Sequence, residues 1–416
     1  MRKVGFYVVF FLLLIIYIYS IVFKIVPISS KIFLELFGLF YCLRYFNNRY
    51  ILKREYVAII RLIFVIVLWD SFTCIVNGSY AFQLTKDIVP LLGSIFVSQY
   101  LYDIAKRHAV KTEGFMFFVI ITIFLESILT IVMKLIPPIY EIVSEVLIFE
   151  LGKKEGISDI FELARFYGIG NAIYFGVLPS CTLGVITSVY MIKSVNNAKL
   201  SLITAFMLVV IGITSFFVAR MSLAIIAVAV CLWFVYSFKG GLGTTIKYSL
   251  LLIIVLMMAY PLVSSFLLSN EELSKWVYGF ILEENYDTGT AGNVKNWWLN
   301  TSFSLKTFLI GDAQYVDPKG GYYMHVDIGF FRQIFYGGIV GLFLNLYLHA
   351  RILKGIYYKE KTYEMKYMLI ALFLCYLVIL AKGDTHMSSY YMLYLVLYTG
   401  GVYIRKQRQN IITVNR

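Results

Sequence analysis

The sequence predicts an all-α, polytopic membrane protein. Three observations carry that expectation: a mean hydropathy of +0.79 with 60% hydrophobic residues, apolar runs of roughly 18 or more residues that recur along the whole chain, and basic residues gathered in short clusters between those runs. A net charge of +13 could point to nucleic acid, but nucleic-acid binders concentrate such charge in one stripe or patch, whereas here it punctuates the apolar runs. Membrane topology accounts for it better.

The first run, Val4 to Phe23, follows Arg2 and Lys3. It is too long for the apolar region of a signal peptide and has no A-x-A-like site before Lys24, so it reads as a retained first helix. Further spans are expected at 27-43, 56-76, 83-102, 114-136, 169-192, 200-218, 221-238, 248-268, 328-350, 367-381 and 387-404, which makes about twelve helices of bilayer length in one integral membrane domain covering 1-416. With the N-terminus inside, the cytoplasmic stretches collect most of the 37 Lys and Arg, including Arg2-Lys3, Lys53-Arg54, Lys106-Arg107 and Arg405-Lys406. That bias places both termini in the cytoplasm. The five cysteines (Cys42, Cys74, Cys181, Cys231 and Cys375) lie in apolar runs without C-x-x-C spacing, so they read as small packing residues.

Two connections on the outer side are too long to be simple turns. The first, 137-168, carries Pro137-Pro138, an apolar stretch with Glu141, Glu145 and Glu150, and a Gly152 to Gly156 segment. The second, 269-327, opens with Ser269 and Glu272 at capping-box spacing and continues with Leu273, Trp276, Val277, Phe280 and Ile281. That periodicity predicts an amphipathic helix on the outer leaflet or on the bundle. Loops of this length in a compact fold usually carry function. No internal repeat and no inverted duplication is evident, which weakens a transporter reading.

Charged residues at the outer ends of spans are the functional leads. Arg220 stands in Phe216-Phe-Val-Ala-Arg-Met-Ser222, at a turn between consecutive spans. It is either a snorkelling anchor or an anion ligand, and the guanidinium fork matches phosphate. Arg165 closes the first large loop in Glu162-Leu-Ala-Arg-Phe-Tyr-Gly168; it is either paired with Glu162 or available to substrate. His325 lies in Gly320-Gly-Tyr-Tyr-Met-His-Val-Asp-Ile-Gly-Phe-Phe-Arg332. Near neutral pH a histidine there can accept a proton from a hydroxyl, with Asp327 or a backbone group orienting its ring; alternatively the pair caps the next helix. Arg332 would add positive charge or neutralise Asp327. Tyr323 joins this segment, and His386 sits in the outer turn Lys382-Gly-Asp-Thr-His. Glu126, near the middle of its span, must find a partner or protonate. The chain carries no phosphate-binding P-loop, dinucleotide fingerprint, hydrolase elbow or metal-ligand spacing, and no metal or cofactor is implied.

At these residues the chain resembles the O-antigen polymerase (Wzy-type) and O-antigen ligase superfamily. The resemblance rests on the layout of about a dozen spans with a large late outer loop, on Val218-Ala-Arg220-Met-Ser222, and on His325-x-Asp327-x-Gly-Phe followed by Gly337-Gly-Ile-Val-Gly341. Arg165 also stands at the arginine, ten residues, glycine spacing to Gly176 known from some polymerases, whereas Arg332 has Phe343 at that spacing.

The resemblance implies a metal-independent, GT-C-type glycosyltransferase at the outer face of the bacterial inner membrane. It would move a growing glycan from undecaprenyl pyrophosphate onto an incoming lipid-linked repeat unit. Arg220 and Arg165 would hold the leaving pyrophosphate, and His325 would position or deprotonate the acceptor hydroxyl. Asp327, Arg332, Tyr323 and His386 would contact substrate, and a chain-length regulator would be a further partner. Transfer to the lipid A core, as in a ligase, uses the same logic. A lipid-linked oligosaccharide flippase is the alternative of a different class.

Overall fold

The computed structural model describes residues 2–26, 28–46, 54–148, 168, 174–195, 197–219, 221–239, 298–317, 321–358 and 360–383, with isolated positions between 243 and 265 and between 390 and 396. Among the described residues the chain is helical; β-pairing is confined to isolated bridges. The helices are α1 (Arg2–Tyr19), α2 (Ser30–Phe46), α3 (Arg54–Asn77), α4 (Gln83–Arg107), α5 (Thr112–Leu135), α6 (Pro137–Val146), α7 (Leu178–Ser194), α8 (Ala198–Val218), α9 (Ser222–Lys239), α10 (Leu305–Leu309), α11 (Gly329–Tyr357) and α12 (Tyr363–Lys382). Six helices in this set are long and apolar enough to cross a membrane: Tyr56–Asn77, Gln83–Arg107, Thr112–Leu135, Ala198–Val218, Gly329–Tyr357 and Tyr363–Lys382. The protein is therefore a polytopic helical membrane protein.

Several boundaries differ from the hydropathy reading, each for a local reason. α1 stops at Tyr19, because Ser20 turns into a left-handed conformation (φ 49°) and the Ser30 hydroxyl bonds back to the Ile16 carbonyl at 3.0 Å. The apolar residues Val22 and Phe23 thus belong to a tight connection and not to the span. α7 starts only at Leu178, after a 3₁₀ turn at Tyr174–Val177. Pro179 lies in its first turn, where a missing N–H costs nothing. Asn197 caps α8 by accepting from the Leu200 N–H at 3.2 Å. Residues 137–146, expected only as an apolar stretch, form a helix of their own. The predicted spans at 248-268 and 387-404 are described only at isolated positions, and the amphipathic helix expected at 269-281 lies outside the described residues.

The centre of the bundle is α7. Every residue from Leu178 to Ile192 is buried, against α5, α8, α9 and α12. Ser180, Thr182, Gly184, Thr187 and Ser188 keep its surface small, which lets neighbouring backbones approach closely where lipid supplies no hydrophobic drive between helices. At Gly184 a Cβ would stand 2.9 Å from Ile123 of α5 and 3.2 Å from Ile211 of α8. On the other side, α2 packs on α4 and α3 packs on α11. Lys31 and Glu35 form a largely buried pair on α2 at 3.4 Å. All five cysteines are free; Cys74, Cys181 and Cys375 are buried as expected of packing residues, whereas Cys231 is exposed.

α2 and α4 run in the same direction, with Glu35 against Gly93 and Arg107 donating to the Tyr41 hydroxyl at 2.9 Å, so the α1–α2 and α3–α4 connections share one end of the bundle, and the bridge from Phe23 to Leu147 brings the end of α6 there too. The segment 305–325 is tied to that same end, because Asn77 and Ser79 hold it there.

Candidate functional site

The site is built on a break in α11. Gly338 takes φ 69° and ψ −178°, which interrupts the helix ladder and leaves the carbonyls before it without their usual partners. A loop fills that gap. The Asp312 and Ala313 N–H groups donate to the Phe335 and Tyr336 carbonyls at 2.6 and 3.0 Å, and the Trp69 indole donates to the Gly337 carbonyl at 2.7 Å. From the other side α3 grips the same loop: Thr73 donates to the Ile310 carbonyl (3.3 Å), Asn77 to Gly311 (3.0 Å) and Ser79 to Ala313 (2.9 Å). The two backbones cross so closely that a Cβ on Gly311 (φ 88°) would lie 2.2 Å from the Tyr336 oxygen, and one on Gly338 2.2 Å from the Leu309 oxygen. Only glycine satisfies both the positive φ and the contact.

Beneath the crossing, Tyr336 joins α3, α4 and α11. Its hydroxyl donates to the Asp70 carboxylate at 2.8 Å and accepts from the Gln83 N–H at 2.6 Å. The other Asp70 oxygen accepts from the Thr85 N–H at 2.8 Å. Asp70 is fully buried, so these bonds are what make an acid acceptable at this depth.

After the crossing the chain makes a hairpin-like excursion. Val316 bridges Tyr322, and the Asp317 N–H donates to the Gly321 carbonyl at 2.9 Å. This places Tyr315 and Tyr322 beside Arg332, in the first turn of α11, with the guanidinium carbon 4.0 and 4.2 Å from the two ring centroids. Arg332 is only 8% exposed. Its Nε has no hydrogen-bond partner, and no carboxylate among the described residues pairs with it. Both rings lie within cation–π distance of the guanidinium, whose N–H fork is the part suited to binding an anion.

The nearby acids are engaged elsewhere. Asp327 pairs with Lys382 at 3.0 Å, so it neither neutralises Arg332 nor caps α11, whose N-cap Ile328 has no side-chain bond. Asp312 accepts from the Thr307 hydroxyl (3.0 and 3.1 Å) and from the Tyr323 hydroxyl (3.4 Å). Burial, then the charge of Asp312, push the Tyr323 phenol up.

His325 ends the excursion. Met324 and His325 both take left-handed backbone conformations (φ 56° and 57°), and both side chains are exposed. Consecutive left-handed non-glycine residues are costly and persist where the surroundings impose them. Here Val326 and Ile328 are buried directly behind them, and a Cβ on Gly329 would lie 2.6 Å from the Leu380 oxygen of α12. Trp298, Phe303, Phe331 and Phe335 form an aromatic wall beside this segment, with Trp298 and Phe331 centroids 4.7 Å apart and Phe303 and Phe335 4.8 Å apart.

Of the residues expected to carry chemistry, the structure brings His325, Tyr323, Asp327 and Arg332 into one segment. Arg165, Arg220 and His386 lie outside the described residues; α8 ends at Val218 and α9 begins at Ser222. Glu126 is buried, accepts from the Thr130 hydroxyl at 3.2 Å, and faces the Gly168 backbone. Sequence reasoning missed Tyr315, Tyr322, Asp312 and Asp70. The signals were an acid inside an apolar run for Asp70 and the Gly311-Asp312 turn signal after an apolar segment. Nothing local marks two tyrosines as the walls of an arginine slot. No protein-family profile, no curated protein and no solved structure matches the chain.

Proposed function

We propose that this protein is a lipid-linked glycan polymerase of the GT-C type. It has about twelve membrane spans, lies in the bacterial inner membrane with both termini in the cytoplasm, and works at its outer face. The observation that carries the reading is Arg332: a buried guanidinium that no carboxylate among the described residues pairs with, stacked near Tyr315 and Tyr322, a few residues from His325. A buried cation at such a place is stabilised when an anionic ligand arrives. The ligand is the pyrophosphate of an undecaprenyl-linked oligosaccharide. Arg332 holds it together with Arg220 and Arg165, and Asp327, Tyr323 and His386 line the approach.

In the transfer, the acceptor hydroxyl of an incoming repeat unit attacks the anomeric carbon of the donor. The bond from that carbon to the pyrophosphate oxygen breaks with its electron pair, undecaprenyl pyrophosphate departs, and the acceptor proton passes to His325. The guanidinium edge stabilises the charge that grows on the leaving oxygen.

The test is glycan length on a gel for a strain lacking the protein, complemented with wild type or with His325→Ala. A single repeat unit without the protein, a ladder with wild type, and a single unit with a normally abundant His325→Ala chain are expected. A ladder from His325→Ala removes the histidine from the chemistry. Loss of even the single unit from the surface replaces polymerase by ligase or flippase, which are separated by the side of the membrane on which lipid-linked glycan accumulates.

A further inference from the structure

The helix α6 and the connection between α1 and α2 form one surface that neither the bundle nor the candidate site uses. Pro137 and Pro138 open α6 immediately after α5 ends, turning the chain off the line of that span. None of the residues of α6 is buried. Its far end is stitched to the α1–α2 connection: Lys24 donates its N–H to the Val146 carbonyl at 3.0 Å, Ile148 donates to Val22 at 2.8 Å, and Phe23 bridges Leu147. The connection is itself ordered by a bridge between Val22 and Ser29 and by the bond from the Ser30 N–H to the Ile21 carbonyl at 2.8 Å.

Across this stitched unit the large apolar side chains point outward. Ile25 is 91% exposed and Ile142 63%, and Phe23, Val26, Ile28, Leu135, Ile136 and Val146 are exposed with them. A contiguous apolar patch of this size is not left to water. The distribution around α6 says what meets it. Ile139 and Val143 turn partly inward. Ile142 and Val146 make one exposed stripe, and Glu141 and Glu145 make a second, about 100° away around the helix. A helix that shows hydrocarbon along one edge and carboxylates along the next lies in the plane of a bilayer surface, with the first edge in the acyl chains and the second in water. α1, α2 and α5, which lead into this unit, also carry exposed apolar side chains, among them Leu12, Phe33 and Ile128, and the unit lies at the end of the bundle that carries residues 305–325.

We propose that α6 and the α1–α2 connection form an in-plane lipid platform, embedded in the leaflet on the side of the candidate site, whose partner is the acyl-chain region of phospholipid. The platform fixes how deeply that end of the bundle sits in the membrane, and it holds whatever chemistry the site performs.

The test is nitroxide accessibility in the full chain reconstituted into phosphatidylcholine and phosphatidylglycerol liposomes. Spin labels are placed singly at Ile25→Cys, Ile142→Cys, Val146→Cys, Glu141→Cys and Glu145→Cys, in a background where Cys42 and Cys231 are replaced by alanine and the three buried cysteines remain. Collisions with oxygen should exceed those with a nickel chelate several-fold at 25, 142 and 146, and the order should reverse at 141 and 145. Nickel reaching 25 and 142 as freely as 141 means a water-exposed surface and overturns the proposal. Exclusion of both reagents at 25 and 142 means that protein, such as a second copy of the chain, covers the patch, and overturns it too.

Discussion

Replacing Gly338 by alanine tests the crossing on which the site stands. The residue sits at φ 69°, where a Cβ costs about 1 kcal/mol before any contact is considered. The added atom would lie 2.2 Å from the Leu309 oxygen and 2.4 Å from its carbonyl carbon, both backbone atoms that cannot rotate away. Relief therefore requires α11 and the loop to separate by most of an ångström. The bonds from Asp312 and Ala313 to Phe335 and Tyr336, at 2.6 and 3.0 Å, span that gap and would be lost. At about 1 kcal/mol net for each, the total is about 3 kcal/mol. For a chain of this size that corresponds to a fall of about 3 °C in melting temperature. The assay is thermal unfolding of the purified protein in detergent, with Gly212→Ala as control: nothing lies within 4 Å of a Cβ there, and the site is inside α8. Gly338→Ala melting together with Gly212→Ala would mean that the two backbones do not cross as described. Gly311→Ala, with its Cβ 2.2 Å from the Tyr336 oxygen, should behave like Gly338→Ala.

Two further substitutions separate function from architecture. Arg332→Lys keeps the charge but not the flat fork between Tyr315 and Tyr322, and should lower chain elongation about 100-fold; unchanged elongation removes Arg332 from substrate binding. Arg332→Met should abolish elongation while melting no lower than wild type, because it removes a buried cation that no carboxylate among the described residues pairs with; a clear loss of thermal stability would make the arginine a structural staple. Tyr336→Phe withdraws a donor from the buried Asp70 and an acceptor from the half-buried Gln83 N–H, and should destabilise the protein by about 2 kcal/mol. A melting temperature equal to wild type would show that the Asp70 bond contributes nothing.

The sequence by itself determined the membrane class and most of the helices, because spans are written in the chain as uninterrupted apolar runs whose length is dictated by the bilayer. It also picked out the segment from Tyr323 to Arg332, since charge and histidine beside an apolar run stand out wherever they occur. What it could not give was their pairing. Whether Asp327 neutralised Arg332 or left it free depended on Lys382, which α12 brings from far along the chain at 3.0 Å. The walls of the arginine slot come from a hairpin whose geometry is set by a loop docked into a helix break. That break reads in sequence only as two glycines within an apolar run, a pattern equally compatible with an unbroken helix. The connection at Val22 and Phe23 was read as part of the first span, and α6 only as an apolar stretch, for a related reason. Hydropathy reports that a residue avoids water, and a span, a buried core and an in-plane surface helix all satisfy it; only the packing of the bundle decides among them.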